Sequence, residues 1–281
     1  MRSFKKNTRM GQSTSEHIHF TSWEHELRTD ACTSMQAFPL AVVEEILLNL
    51  PAQQVIRVCR LVCHEWKELV DSAALWKERC RREGLLPCNA SRPPANWWMF
   101  YFLAKKRRNL LKNPRAEDEL NGWKIVLNGG DCWTIEDNSV DIPNNTVPKC
   151  FVTSYGLCMK QQLIDLKKEG YNPAFMDHLQ SEIKITDWYA PRWDCGSQYK
   201  ICVELLDQKK KVMSTYQPEP VFFPQWNDQQ WCQMTHVFRD YGPGVRFIRF
   251  THGGMDTQYW KGWFGIRVTN SSVEICPAAE R

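Results

Sequence analysis

Between Phe38 and Cys80 the sequence carries more helical apolar surface than a segment of that size can bury. Val42, Val43, Ile46, Leu47 and Leu50 recur at spacings of three and four, the period of one helix face. Pro39 suits a first helical turn, where no amide donor is needed. Pro51, directly after Leu50, stops that helix and starts the next. Val55, Ile56 and Cys59, then Val62, Trp66, Leu69 and Val70, continue the spacing in short segments. A bundle of about forty residues has a very small core and is marginal on its own. Such a segment needs a partner surface.

The flanking regions read differently. Residues 1–34 are polar and without period, which predicts a flexible tail. Met1 to Met10 is basic and free of acids, a transit-peptide trait, but Glu16, Glu24 and Glu26 follow too soon to support it. After a turn-rich connection with Gly84, Pro87, Pro93 and Pro94, Asn96 is placed to cap a helix from Trp97 to about Lys112. That helix is expected to act as a semi-rigid spacer. Its run Lys105-Lys106-Arg107-Arg108 reads either as a targeting or phosphate-binding patch, or as a solvated helix end where the macrodipole favours cations.

From Arg115 the pattern becomes eight to ten short strands with turn punctuation. Trp123–Leu127 and Trp133–Glu136 flank Asn128-Gly129-Gly130 and predict a hairpin. Tyr199, Ile201, Val203 and Leu205 alternate with polar neighbours, the period of a strand with one buried face. Asn172–Leu179 predicts a brief helix. No helix-length segments alternate with the strands, so the fold class expected is α+β and multidomain. It comprises a small all-α module (35–82), a helical linker (83–114) and a C-terminal antiparallel β-sandwich of jelly-roll type (115–281).

Twelve cysteines contain no Cys-x-x-Cys pair and no zinc-finger spacing. Free buried thiols in a reducing compartment account for them, and no metal or cofactor is expected. Residues 1–34 lack the central apolar run of a secretory signal, and no apolar run is long enough for a membrane span. The triplets at Asn89, Asn144 and Asn270 are then silent as glycosylation acceptors. The net charge of +4 is too small to argue for nucleic acid.

His252 to Gly265 sets Tyr259, Trp260, Lys261, Trp263 and Phe264 between glycines, and predicts a loop after a strand. Adjacent strand residues point to opposite faces, so these aromatics cannot all face inward. They either plug the end of the sandwich or present a face to a ligand with apolar C–H surfaces and hydroxyls, such as a sugar, or to a nucleic-acid base.

Two resemblances sharpen this reading. The Pro-led helix, the Leu-Pro break, the Leu-Val-Cys-x-x-Trp run and the Leu-Trp-Lys resemble an F-box, with Phe38 where the pattern usually has Leu. The resemblance implies docking on a Skp-family adaptor, and through it on a cullin/RING ubiquitin ligase. The implied contact residues are Pro39, Val43, Ile46, Leu47, Leu50, Pro51, Val55, Leu61, Val62, Trp66 and Trp76. From about Asn113 to Ser272 the chain resembles the F-box-associated domain of the sugar-recognising F-box proteins. The match rests on Asn128-Gly129-Gly130-Asp131, Thr153-Ser154-Tyr155, Glu169-Gly170-Tyr171, Asp187-Trp188-Tyr189, Asp240 to Arg246 and Tyr259 to Ser272. That family implies binding to the chitobiose core of high-mannose N-glycans on misfolded glycoproteins, leading to ubiquitination and ER-associated degradation. It also implies a cytoplasmic setting, including the cytosolic face of the endoplasmic reticulum. Carried over by position, Trp260 stacks on a sugar face, Tyr259 builds the slot and Lys261 bonds sugar oxygens. Tyr155 stands where the family usually has Phe, and Asp194 is a candidate acceptor. Alternatives are an adaptor that reads a protein surface, or a lectin-like chaperone independent of the ligase.

A carbohydrate-active enzyme is the rival class. Glycoside hydrolysis needs two carboxyl groups about 5 to 9.5 Å apart, and Asp187, Asp194 and Asp256 are the acids available. Cys63 and His64 are helix neighbours and do not face each other. No nucleophile elbow or phosphate loop is present. The chain is therefore expected to be a non-catalytic adaptor.

Overall fold

The structure is a computed structural model that describes residues 39–85, 87, 93–94, 96–138, 142–143 and 146–277. The expected N-terminal tail, Phe38 and the Asn89 and Asn144 triplets lie outside the described residues. The chain divides between Asp71 and Ser72 into two compact units.

In the first unit, α1 (Leu40–Asn49) and α2 (Ala52–Arg57) each begin one residue after a proline. The Pro39 carbonyl accepts the Val42 and Val43 amides, so the proline caps the helix rather than occupying its first turn. Pro51 holds Leu50 extended, with ψ at 154°, which ends α1. A 3₁₀ turn (Cys59–Leu61) leads into α3 (His64–Asp71). Val43, Leu47, Val55, Cys59 and Val70 are buried, whereas Leu40, Val42, Ile46, Val58, Leu61 and Val62 remain in solvent. Arg60 closes the unit by a forked ion pair to Asp71 at 2.6 and 3.0 Å.

The second unit opens with α4 (Ala73–Arg82) and α5 (Trp97–Lys106), capped by the side-chain oxygens of Ser72 and Asn96. Trp76 is buried with its ring 5.4 Å from Tyr101 and 5.6 Å from Phe102. The helix expected to run to Lys112 stops at Lys106. The residues that follow are tied to the sandwich instead: the Leu110 amide donates to the Val273 carbonyl, and Asn109 brackets Ser271 and Val273. A strand-edge bond for each of these residues outweighs one more helical turn, and the segment is no free spacer.

The basic run is consumed in the same way. Lys105 pairs with Glu83 at 3.0 Å and Arg107 with Glu274 at 2.6 Å. Arg108 pairs with Glu169, while Lys106 donates to the Gly170 carbonyl and lies 4.4 Å from the Tyr171 ring centre. All four cations act as internal clamps.

Among the described residues, eleven strands form two antiparallel sheets. The first sheet is ordered β1 (Lys124–Asn128), β4 (Cys158–Asp165), β10 (Phe247–Asp256), β6 (Ser197–Leu206), with β7 (Val212–Tyr216) and β8 (Val221–Phe223) both pairing with β6. The second is β2 (Thr134–Asp137), β3 (Lys149–Val152), β11 (Arg267–Cys276), β5 (Glu182–Ala190), β9 (Cys232–Phe238). The short helix α6 (Pro173–Leu179) joins β4 to β5, with Asn172 as its cap. The predicted hairpin does not form. β1 pairs with β4 and β2 with β3, so Asn128-Gly129-Gly130 carries the chain from one sheet to the other. It can do so because Gly129 packs backbone to backbone against Gly156, where a Cβ would meet the Gly156 carbonyl carbon at 2.7 Å. The strand β10 also runs through His252, Gly253 and Gly254, which the sequence predicts as loop.

The expected alternation along β6 holds: Tyr199, Ile201, Val203 and Leu205 face the core with Ile248 and Phe250 of β10 and Ile183 and Ile185 of β5. Among these apolar side chains lies a fully buried polar chain. Lys160 Nζ is 2.7 Å from His252 Nε2, and His252 Nδ1 is 2.6 Å from Asp187. Tyr199 and Ser271 donate to the same carboxylate at 2.6 and 2.7 Å. The chain joins the two sheets, since Lys160, His252 and Tyr199 sit on one and Asp187 and Ser271 on the other.

Candidate functional site

Three loops meet at one end of the sandwich. The first leaves β10 at Asp256, whose buried Oδ1 accepts the Gln258 amide at 2.9 Å and the Tyr259 amide in turn. Burial raises the Asp256 carboxyl above its usual range, against the opposing pull of those amides. This capping turns the chain sharply enough to put Tyr259 at a φ of 59°, a left-handed conformation that costs a tyrosine energy. Tyr259 is thereby thrown outward and is 71% exposed. Trp260 follows, half in and half out at 36%, with its inner edge against the Phe264 ring at 5.5 Å and 85°. Lys261 is exposed.

The second loop is the sheet-crossing turn. Asp131 accepts the Gly262 amide at 2.9 Å through its side chain and the Trp263 indole N–H at 3.2 Å through its carbonyl. Ser154 completes the joint: its hydroxyl accepts the Asp131 amide at 2.9 Å and donates to the Gly262 carbonyl at 2.6 Å. The next residue is Tyr155, half-buried, whose ring edge packs against Gly130. Tyr155 and the Tyr259–Lys261 loop are therefore held together through Ser154 and Asp131. In the sequence Asp131 and Ser154 stand only as parts of the Gly-Gly-Asp and Thr-Ser-Tyr motifs, and the joint between them exists only in the tertiary structure.

The third loop, residues 191–196, carries Asp194. Arg192 donates to the Trp263 carbonyl at 2.8 Å and pairs with Glu136, and the Gly196 carbonyl accepts the Thr257 amide at 2.9 Å. Asp194 thus lies between two points that clasp the loop from Thr257 to Phe264. Among the described residues, no hydrogen bond or ion pair engages the side chains of Asp194, Tyr259 or Lys261. The first loop thus carries Tyr259, Trp260 and Lys261, Tyr155 stands beside the second, and the third carries Asp194. Asp187 and Asp256 are fully buried with partners of their own, so of the three acids considered for hydrolysis only Asp194 reaches solvent. No cluster of three metal-binding side chains occurs among the described residues.

The residues expected to meet an adaptor separate by burial. Pro39, Ile46, Pro51, Leu61 and Val62 are exposed, and Leu50 and Trp66 are half-buried. Val43, Leu47 and Val55 are buried within the first unit, and Trp76 is buried within the second.

Comparison with known proteins agrees with both halves. Residues 101–275 match the family described as F-box associated region, and residues 35–82 match F-box-like. The chain belongs to the F-box-associated family. It is 46% identical over 249 residues to F-box only protein 6 of Bos taurus, covering 87% of this chain and 94% of that one. F-box only protein 44 of Mus musculus is 45% identical, covering 88% and 98%, and F-box only protein 2 of Bos taurus is 45% identical, covering 86% and 84%. An F-box followed by an F-box-associated domain is the layout of a substrate-recognition subunit of a ubiquitin ligase. No helix among the described residues is long and apolar enough to cross a membrane.

Proposed function

We propose that this F-box-associated domain recognises the chitobiose core of high-mannose N-glycans, and that the chain presents misfolded glycoproteins to a cullin/RING ligase for ER-associated degradation. The observation that carries this reading is the Tyr259-Trp260-Lys261 loop, anchored by Asp256, Asp131 and Ser154, with the Tyr259 and Lys261 side chains unpaired among the described residues. A pyranose ring has a C–H face that suits Trp260 and Tyr155. Its hydroxyls and N-acetyl groups suit Lys261 as donor and Asp194 as acceptor. Each such hydrogen bond nets about 0.5–1.5 kcal/mol, so affinity rests on the aromatic contacts and is modest. The exposed apolar surface of the first unit, with Leu61 at 76%, is the counterpart that docks on the Skp-family adaptor.

The test is a calorimetric titration of the full chain with a chitobiose-cored high-mannose glycan, beside Trp260→Ala. Saturable binding that the substitution abolishes supports the reading. A folded wild type that binds nothing overturns it and leaves recognition of a protein surface.

A further inference from the structure

Beside these loops the sandwich exposes a second aromatic feature that the chitobiose reading does not use. Trp193, in the loop that carries Asp194, and Trp226, in the loop between β8 and β9, are 53% and 65% exposed. Their ring centres are 5.0 Å apart and the planes are tilted by 49°, so each ring keeps a face towards solvent. Two indoles left in water at this separation represent a large apolar area that the fold has not buried.

The arrangement is held by the backbone. Trp226 has a φ of 61°, a conformation a tryptophan adopts only under constraint. The constraint is the adjacent Asn227. Its side-chain amide donates to the Arg192 carbonyl at 2.6 Å and the Pro224 carbonyl at 2.9 Å, and its own amide donates to the Trp193 carbonyl at 3.0 Å. Its side-chain oxygen accepts the Gln229 amide at 2.8 Å. One asparagine therefore locks both loops with both indoles outward.

The pair is continuous with the site already described. Trp193 lies between Arg192, which holds the Trp263 carbonyl, and Asp194, whose side chain has no hydrogen-bond or ion-pair partner among the described residues. The neighbouring residues in sequence are polar, with Asp194 half-buried and Asp228 and Gln230 exposed. Flat aromatic faces edged by acceptors fit a hexose better than they fit an apolar peptide, which requires a wider apolar surface.

We propose that Trp193 and Trp226 form a second sugar-stacking platform, with Asp194 at its edge, that takes an outer hexose of the same oligosaccharide whose core lies at Trp260. The inference rests on the glycan reading above. It makes the domain sensitive to glycan length, because a disaccharide core engages one platform and a longer high-mannose glycan engages both.

The experiment compares the full chain and its Trp193→Ala, Trp193→Phe and Trp260→Ala variants against chitobiose alone and against a high-mannose glycan. Trp193 is largely solvent-exposed, so its replacement leaves the urea midpoint unchanged, and this is measured alongside. Wild type binds the longer glycan more tightly than chitobiose. Trp193→Ala reduces that advantage by about five-fold, the scale of one lost aromatic contact, and leaves chitobiose binding intact. Trp193→Phe restores most of the advantage, and Trp260→Ala loses both ligands. A wild type that binds both glycans equally, or a Trp193→Ala variant with an undiminished length advantage, overturns the second platform while the core site stands. A wild type that binds neither ligand removes the glycan reading and the platform with it.

Discussion

Replacing Asp187 by Asn tests the claim that the buried polar chain pins the two sheets. A carboxylate only accepts, so the contact with Asp187 places the His252 proton on Nδ1 and leaves Nε2 to accept from Lys160. Burial pushes the Lys160 ammonium well below its ordinary pKa, and the Asp187 charge opposes that shift. Asparagine removes the charge and turns one of the two acceptor oxygens into a donor facing Tyr199, His252 or Ser271. Breaking a buried pair by removing one partner costs about 3–5 kcal/mol. The estimate from hydrogen bonding agrees, since each charge-assisted bond is worth about 1.5–3 kcal/mol and the remaining oxygen keeps part of the set. With a urea dependence of about 3 kcal/mol per molar, the unfolding midpoint of the second unit falls by more than about 1 M. The assay is urea unfolding of the full chain followed by Trp fluorescence. Adding Lys160→Met to Asp187→Asn recovers part of the loss, because apart from its contact with His252 the Lys160 Nζ faces aromatic rings, 3.2 and 3.7 Å from the Trp123 and Phe151 ring centres. A midpoint shift below about 0.3 M for Asp187→Asn refutes the reasoning.

Further outcomes follow from the same geometry. The His252 pKa is pushed down to about 4, first by burial, from an ordinary 6.5. The unfolded chain therefore takes up a proton that the folded chain refuses, and stability present above pH 6.5 is lost as pH falls towards 4, by roughly 3 kcal/mol in all. Thermal melts of wild type and His252→Gln across that window check it; equal slopes refute it. In Leu61→Glu, capture of a Skp-family adaptor drops sharply with no change in melting temperature, because the side chain is exposed; undiminished capture on a sensor surface removes Leu61 from the interface. Gly254→Ala abolishes soluble expression or lowers the melting temperature by more than 10 °C, on the order of 3 kcal/mol or more, because its Cβ would sit 1.8 Å from the Gln198 carbonyl. A melting temperature within a few degrees of wild type counts against that packing. Glycan affinity changes little between low and high salt, whereas nucleic-acid binding would fall steeply, and binding at two salt concentrations separates them.

Much was legible in the sequence because it is encoded locally. The helix faces and proline breaks of Leu40–Leu50 and the alternation from Tyr199 to Leu205 are periodicities over a few residues, and each appears as the spacing predicts. The aromatic-lysine loop was visible for the same reason, since Tyr259-Trp260-Lys261 is contiguous. The tertiary structure decided whatever depended on partners far along the chain. Arg107 meets Glu274 across 167 positions and Arg108 meets Glu169 across 61, so a run that reads as a basic patch becomes a set of clamps and cuts a helix short. Asn128-Gly129-Gly130 has hairpin composition, yet the close approach of Gly156 diverts it between sheets. Asp187, in the sequence one of three acids available for hydrolysis, became the centre of a buried network because His252, Tyr199 and Ser271 converge on it from three other strands. Short-range period sets which elements form. Which side chains share a site depends on sheet order and loop closure, and neither leaves a local trace.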